Sequence, residues 1–366
     1  MAYATRPAVV FPEHRISTAD ILKETEASAQ DSPYLERVLN MNTGVETRHF
    51  VAPLDVIAQS GSLEERNTVG LAGMQQLSTR AAIAALEHAG LEGQEIDVLM
   101  TSVTTVQSLP GEDVRLCNDP AVGLRPDIFR MPHTQLGCVG GAHILAQAAR
   151  LADATGMRIL AVIPEALSTV YQPRDTSLTG LLWRQIFGDS ASACVITPSA
   201  AVNARPPRGA CLEITDSWQY VVTGTMNTYE LGLEADGAHF TSKAGAQKAV
   251  RNLKDPLWNW LATSEPDWRP ETVIGHAGGP EVLRHMATML GFPGDPHHPD
   301  NPLTEAWTSL RTRGNLGGGS VMHSLYLKAK SSPPSGSNTL LLAMGPGITG
   351  AAVKGVWLDT AENHSA

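Results

Sequence analysis

The stretch from Phe129 to Ile163 constrains the fold more than any other part of the chain. An extended run, Phe129–Gln135, meets a glycine-framed turn, Gly137-Cys138-Val139-Gly140-Gly141. From Ala142 onward, Ile144, Leu145, Ala148, Ala149 and Ala152 recur at helical spacing, and Gly156 stands where a helix C-cap is wanted. Ile159–Ile163 is apolar at every position, as a strand buried on both faces must be. Strand, tight turn, helix and strand in that order predict a right-handed βαβ unit, so the sheet is at least partly parallel.

The same alternation continues on either side. Gly73–His88 reads as a helix closed by Gly90, and Ile96–Val103 and Ala191–Ile196 read as strands. A loop rich in Pro and Arg, Asn203–Gly209, divides the chain into an expected N-terminal half, 1–205, and a C-terminal half, 206–366. The second half offers a strand at Thr272–Ile274 and a helix with Val282, Leu283, Met286 and Leu290 on one face. A further helix follows near Val321–Ala329, then strands at Thr339–Met344 and Gly350–Trp357. Gly294–Pro302 and Ser331–Asn338 are polar and Pro-rich, hence expected surface loops. Gly137-Cys138-Val139-Gly140-Gly141 is echoed by Gly314-Asn315-Leu316-Gly317-Gly318, each ahead of a helix. Two similar halves would aim Cys138 and Asn315 at a shared axis.

Composition narrows the function. Of 366 residues 42% are apolar and only 17% charged, which supports a large core and excludes a disordered or coiled-coil chain. A net charge of −10 makes the chain a poor partner for nucleic acid. No apolar run is long enough to cross a membrane, and Met1–Arg15 lacks the apolar centre of a secretory signal, so a cytoplasmic protein is expected. Cys117, Cys138, Cys194 and Cys211 form no C-x-x-C pair, which leaves no support for a metal clamp or a redox couple.

Three residues stand out chemically. Cys138 lies where a strand turns into a helix, and the positive end of a helix favours a thiolate. Cys194, in an apolar strand, reads as core. His276, in Gly275-His276-Ala277-Gly278-Gly279-Pro280, falls at the carboxyl end of a strand, where open α/β sheets place active residues. The His297-His298 pair, in a Pro-rich loop, reads as solvent-facing. Asn315 reads either as a helix cap or as a hydrogen-bond donor that carries no charge. A cysteine becomes a nucleophile beside a basic partner, and His and Asn can donate to an enolate or thioester oxygen. None of the three motifs contains a carboxylate to act as a strong base. That suits a carbanion made by loss of carbon dioxide.

The chain resembles the type III polyketide synthases, the chalcone synthase superfamily on the thiolase fold, and most of all their bacterial branch. The resemblance runs over nearly the whole length through Gln135-Leu136-Gly137-Cys138-Val139-Gly140-Gly141, Phe187-Gly188-Asp189, His276-Ala277-Gly278-Gly279-Pro280, Gly314-Asn315 and Gly345-Pro346-Gly347-Ile348-Thr349. It implies an α/β architecture of two pseudo-repeated halves in five layers, αβαβα. It also implies that Cys138 carries the starter and the growing chain as thioesters. His276 would keep the sulfur anionic and, with Asn315, bind the malonyl thioester carbonyl during decarboxylation. Phe187 and Phe240 match the family's gatekeepers. Leu167, Val170, Leu231 and Gly317 match positions that line the elongation cavity, giving an aliphatic wall suited to an apolar starter. Leu109 matches a residue that reaches into the neighbouring subunit of a homodimer. Gly278, Gly279, Gly345, Pro346 and Gly347 are implied to border the substrate path, and Arg48 to belong to a basic cluster for CoA phosphates. Acyl-CoA and malonyl-CoA are the implied substrates, used without a cofactor or a carrier protein. Thr104–Pro110 lacks a Gly common in relatives, and Ala343 replaces another, so the mode of ring closure is open.

Two thiolase-fold rivals share parts of this pattern. An initiating ketoacyl synthase carries its His in a His-Gln-Ala-Asn stretch, which differs from His276-Ala277-Gly278-Gly279. A 3-hydroxy-3-methylglutaryl-CoA synthase needs a Glu base, for which Glu165 is the nearby candidate. A non-catalytic thiolase-fold partner would be expected to have lost one of the three residues, and none is missing.

Overall fold

The protein is described by a computed structural model covering residues 1–59, 61–199 and 209–359. The stretch 203–208 and the expected division at 205/206 lie outside the described residues.

One hydrogen-bonded path of strands runs through the molecule. Its order is Thr272–Gly275, Asn338–Gly345, Thr349–Asp359, Ala210–Val221, Ala2–Thr5, Ser190–Pro198, Ile159–Glu165, Val98–Val103 and Phe129–Thr134. Ala8–Val10 pairs separately with Ser190–Pro198. The expected parallel unit is present: Val98–Val103 lies between Phe129–Thr134 and Ile159–Glu165 and runs parallel to both. Thr272–Gly275 and Asn338–Gly345 form the parallel pair of the other half. The remaining pairings along the path are antiparallel.

Alternating side chains assign the strands to layers. Leu99, Leu160, Val162 and Val195 face the long helix Leu63–Ala89 through Leu77, Ala81 and Ala85. Their neighbours Val98, Met100, Ile159, Ala161 and Ile163 face the opposite way, onto the helix Gly140–Thr155. In the other half Leu340 and Leu342 face the helices Lys254–Ser264, Pro280–Met289 and Thr304–Arg313. Ile274, Leu341, Ala343 and Val353 turn inward to the same central cluster as Ile144 and Val321. The layers are therefore helix, sheet, a central pair of helices (Gly140–Thr155 and Gly319–Ser331), sheet and helix, the αβαβα order. Strands sandwiched in this way must be apolar on both faces, which is why their sequences read as unbroken runs. Cys194 is fully buried in this core, as expected.

The long helix begins at Leu63, ten residues before the periodic segment. A capping box fixes that start: Ser62 accepts from the Glu65 amide and Glu65 reaches back to Ser62. Gly90, at φ 66°, closes it. The hairpin Tyr229–Glu234 with Gly237–Ser242 had no clear sequence signal; its register sets Leu231 opposite Phe240.

The central helices meet where their first turns are glycine. A Cβ on Gly141 would lie 2.3 Å from the Gly318 carbonyl oxygen and 2.7 Å from Val321 Cγ1. The glycines of the internal echo, Gly137 and Gly314, both take positive φ, 57° and 73°. Gly317, at φ 57°, also takes this conformation, immediately ahead of the helix Gly319–Ser331. Gly141→Ala must push backbone away from backbone, so a destabilisation of about 1–3 kcal/mol is expected, the usual cost of overpacking. Urea unfolding of the variant measures it, and an unchanged midpoint would mean that the helices are not in contact there.

Candidate active site

Cys138 lies in the three-residue turn Gly137–Val139 that leads into the helix Gly140–Thr155. Gln135, held at φ 62°, is strained backbone just ahead of it, whereas Gly137 takes φ 57° without cost. A cavity of about 290 Å³ opens on one side of the sulfur, and a smaller chamber containing His276 and Asn315 opens on the other. The structure thus gathers the three candidate residues around one space.

Asn315 is the most tightly specified of the three. Its backbone N–H donates to the Ile186 carbonyl at 2.8 Å, and its carbonyl accepts from the Gly188 amide at 3.0 Å. This single rung ties the second half to Phe187-Gly188-Asp189 of the first. Gly188 is required there, because a Cβ would fall 2.3 Å from the Arg313 carbonyl oxygen. Asp189 anchors the motif from below: its carboxylate accepts from the Ser168 amide at 2.6 Å, the Ser168 hydroxyl at 2.5 Å and the Val51 amide at 2.8 Å. The Asn315 side-chain oxygen accepts from the Gly317 amide at 2.9 Å and the Ser320 hydroxyl at 3.2 Å. The NH2 end lies 3.8 Å from Cys138 Sγ and donates to the Gly278 carbonyl at 3.3 Å, and the thiol in turn lies 4.0 Å from the amide oxygen as a donor to it. Cap and donor are therefore not alternatives: one end of the amide caps the turn and the other faces the sulfur.

His276 follows the strand Thr272–Gly275 and is buried, its amide donating to the Leu342 carbonyl at 3.0 Å. The imidazole Nδ1 has no partner among the described residues. Gly278 leaves room for the ring, since a Cβ there would sit 2.6 Å from Nε2. Burial pushes the imidazole down to about 3 and the Cys138 thiol up to about 12, the Asn315 hydrogen bond offsetting part of the latter. Taken singly, each group is neutral. Moving the thiol proton to the imidazole creates two charges whose mutual attraction is strongest in just such a dry site.

The larger cavity collects every residue expected in it. Leu167, Val170, Phe187, Leu231, Phe240 and Gly317 all line it together with Cys138. Gly278, Gly345 and Pro346 border the smaller chamber, and Gly347 borders a shallow surface hollow beside it. Gly279 precedes the helix Pro280–Met289 and lines neither space. Leu109 is 99% exposed on this single chain and lies outside both cavities. Arg48 is a correction. It is fully buried, with its guanidinium donating to the Gln185 carbonyl, and cannot reach a phosphate at the surface. Burial pushes it down to about 10, and its Cβ side packs where Gly188 leaves room.

Sequence reasoning missed two contributors and met a third, Glu165, only as the base that a rival reading would need. Trp183 and Tyr229 line the smaller chamber, and no motif in the sequence marks either of them. Glu165 lines the larger cavity, fully buried, accepting from the Thr104 hydroxyl at 2.8 Å while Oε2 has no partner among the described residues. Burial pushes it up to about 8, so it is an un-ionised acid at neutral pH.

That shift fixes a dependence on pH. From an ordinary value of 4.5 to about 8, the folded protein holds a proton on Glu165 that the unfolded chain has released. Its contribution is therefore full below about pH 4.5 and is lost as pH rises through about 8. Asp189, raised to about 7, acts in the same sense. Stability by urea unfolding should fall across this window, at most about 1.4 kcal/mol per pH unit per group, and Glu165→Gln should flatten the fall. Identical slopes in both proteins would show that Glu165 is ionised in the fold.

Comparison with known proteins identifies the family and the fold. The family model for chalcone and stilbene synthases, N-terminal domain, matches residues 40–200. The chain is 32% identical over 350 residues to a 1,3,6,8-tetrahydroxynaphthalene synthase of Streptomyces peucetius subsp. caesius, covering 92% of this chain and 88% of that one. It is 28% identical over 358 residues to a phloroglucinol synthase of Pseudomonas fluorescens, covering 96% and 98%. Among solved structures, germicidin synthase from Streptomyces coelicolor, a type III polyketide synthase, superposes with a TM-score of 0.87 at 32% identity over 98% of this chain and 99% of that one. Family match, full-length relatives and superposed fold converge, and the chain belongs to the chalcone and stilbene synthase family, as a type III polyketide synthase.

Proposed function

We propose that this synthase condenses malonyl-CoA onto an apolar acyl-CoA starter held on Cys138, with His276 and Asn315 as its partners. The observation that carries the reading is the locked Asn315 amide, whose NH2 end is directed to Cys138 in the chamber that His276 also lines.

The steps follow from the groups present. The thiol proton of Cys138 passes to the His276 imidazole, and the thiolate attacks the starter thioester carbonyl. The CoA sulfur leaves and takes that proton. Malonyl-CoA then brings its thioester oxygen to the Asn315 NH2 and the neutral His276 N–H. As carbon dioxide leaves, the electron pair of the broken bond passes to an enolate, whose oxygen these donors stabilise. The enolate carbon attacks the acyl-Cys138 carbonyl, a carbon–carbon bond forms, and the Cys138 thiolate departs. Repetition lengthens the chain until it is released as a cyclised pyrone, resorcinol or related product.

The walls support an apolar starter. Leu167, Val170, Leu231, Phe187 and Phe240 surround a space of about 290 Å³, with Glu165 as an internal acid. Hydrophobic walls discriminate by only about 1–3 kcal/mol per methylene, so several starters should be accepted. Dimerisation would cover Leu109 and Phe129, which are 99% and 59% exposed here. Among the described residues no helix is long and apolar enough to cross a membrane.

Incubation with a panel of aliphatic acyl-CoA starters and malonyl-CoA, read by product mass, tests the reading. Cys138→Ala should make no product. Asn315→Ala and His276→Ala should each slow malonyl-CoA decarboxylation about 100- to 1,000-fold, the range for an oxyanion donor. Wild-type decarboxylation in either variant, or products formed only from malonyl carrier protein, would contradict the proposal.

A further inference from the structure

His49, on the short strand Thr47–Phe50, lines neither chamber, yet both its main chain and its side chain reach the framework that carries Asn315. Its main-chain carbonyl accepts from the Asp189 amide at 2.8 Å, next to Gly188, whose own amide donates to the Asn315 carbonyl at 3.0 Å. Its imidazole Nε2 lies 2.7 Å from Arg313 Nη1, two residues before Asn315. The Phe11 ring backs both partners, with its centroid 5.6 Å from the imidazole centroid and 4.3 Å from the guanidinium carbon.

These partners fix the state of the ring. The Pro12 carbonyl, 2.6 Å from Nδ1, can only accept, and a guanidinium can only donate. The imidazole therefore carries its proton on Nδ1 and offers the Nε2 lone pair to Arg313. Burial, with Arg313 and Arg15 close by, pushes it below its ordinary range, which favours this neutral form.

Little slack separates Arg313 from the site. Arg313 ends the helix Thr304–Arg313, and its carbonyl presses on Gly188, where a Cβ would fall 2.3 Å from the oxygen. Gly314 follows at φ 73°, and a Cβ on it would fall 2.4 Å from the Ile186 carbonyl oxygen. The strand of His49 and the residue before it grip the same helix end twice more. Thr47 Oγ1 donates to the Thr312 carbonyl at 2.8 Å, and the Glu46 amide to the Arg311 carbonyl at 2.8 Å. Strand, helix end and Gly188 form one splint, and a shift of Arg313 has to pass on to Asn315.

We propose that His49 and Arg313 are positioning residues of the condensation: neutral His49 holds Arg313, and Arg313 holds the Asn315 amide where its NH2 meets the malonyl thioester oxygen. Neither touches the substrate. The proposal rests on the function proposed above and deepens the part that Asn315 plays in it.

His49→Ala and Arg313→Met should each slow malonyl-CoA decarboxylation about 10-fold, short of the roughly 100-fold that a misplacement of about 1 Å can cost. His49→Gln, whose amide oxygen can still accept from Arg313, should recover most of the rate. The decisive measurement combines His49→Ala with Asn315→Ala. A residue that acts only through Asn315 has nothing left to position, so the double variant should decarboxylate within about 2-fold of Asn315→Ala alone. Three results would overturn the positioning role: an undiminished rate in His49→Ala or Arg313→Met, no recovery in His49→Gln, or a further loss of about 10-fold in the double variant, which would show that His49 serves the fold at large. Decarboxylation at the wild-type rate in Asn315→Ala would instead sink the underlying function, whatever His49 does.

Discussion

Two helix starts approach each other more closely than any side chain would permit, and the candidate site depends on that approach. Glycine at 141 and 318 lets backbone lie against backbone. The turn bearing Cys138 and the turn bearing Asn315 then face each other across the boundary between halves. From this contact the rest follows in order. The Asn315 backbone can pair with Ile186 and Gly188, its amide can be fixed by Gly317 and Ser320, and its NH2 end arrives beside the sulfur. A looser crossing would leave each residue an unremarkable helix-start residue in its own half.

The same close packing governs the electrostatics. Cys138, His276, Glu165 and Asp189 all sit where burial disfavours their charged forms. A site of this kind holds few permanent charges. It spends its low dielectric on charges that appear in pairs or transiently, and those are the ones a decarboxylative condensation creates. The carboxyl of Asp189 shows the structural side of the rule: it is tolerated because three donors from Ser168 and Val51 surround it.

Much of this was legible in the sequence because glycines and apolar runs leave marks that context does not erase. Gly137, Gly140 and Gly141 beside Cys138, and Gly278 and Gly279 beside His276, announced turns with little room, and ILAVI announced a strand covered on both faces. What escaped has physical reasons. The pentapeptide echo matched glycines by spacing, and spacing alone does not choose between Gly314 and Gly317 as the counterpart of Gly137, since both take positive φ. Arg48 looked like a surface cation because arginine usually is one, and its burial depends on a cleft beside Gly188 that no local pattern reveals. Trp183 and Tyr229 carried no signal because an aromatic facing a cavity has the same neighbours in sequence as one facing core. The helix start at Leu63 was hidden by polar residues on its exposed first turns.

The central claim is that Cys138 and His276 ionise as a pair. The pH dependence of iodoacetamide labelling of Cys138, in wild type and in His276→Ala, tests it most directly. The account predicts rapid labelling of wild type near about pH 6, where an ordinary thiol of about 8.5 is almost inert. It also predicts that His276→Ala labels only above about pH 9, because burial then acts on the thiol unopposed. Superimposable profiles for the two proteins, both confined to alkaline pH, would contradict it.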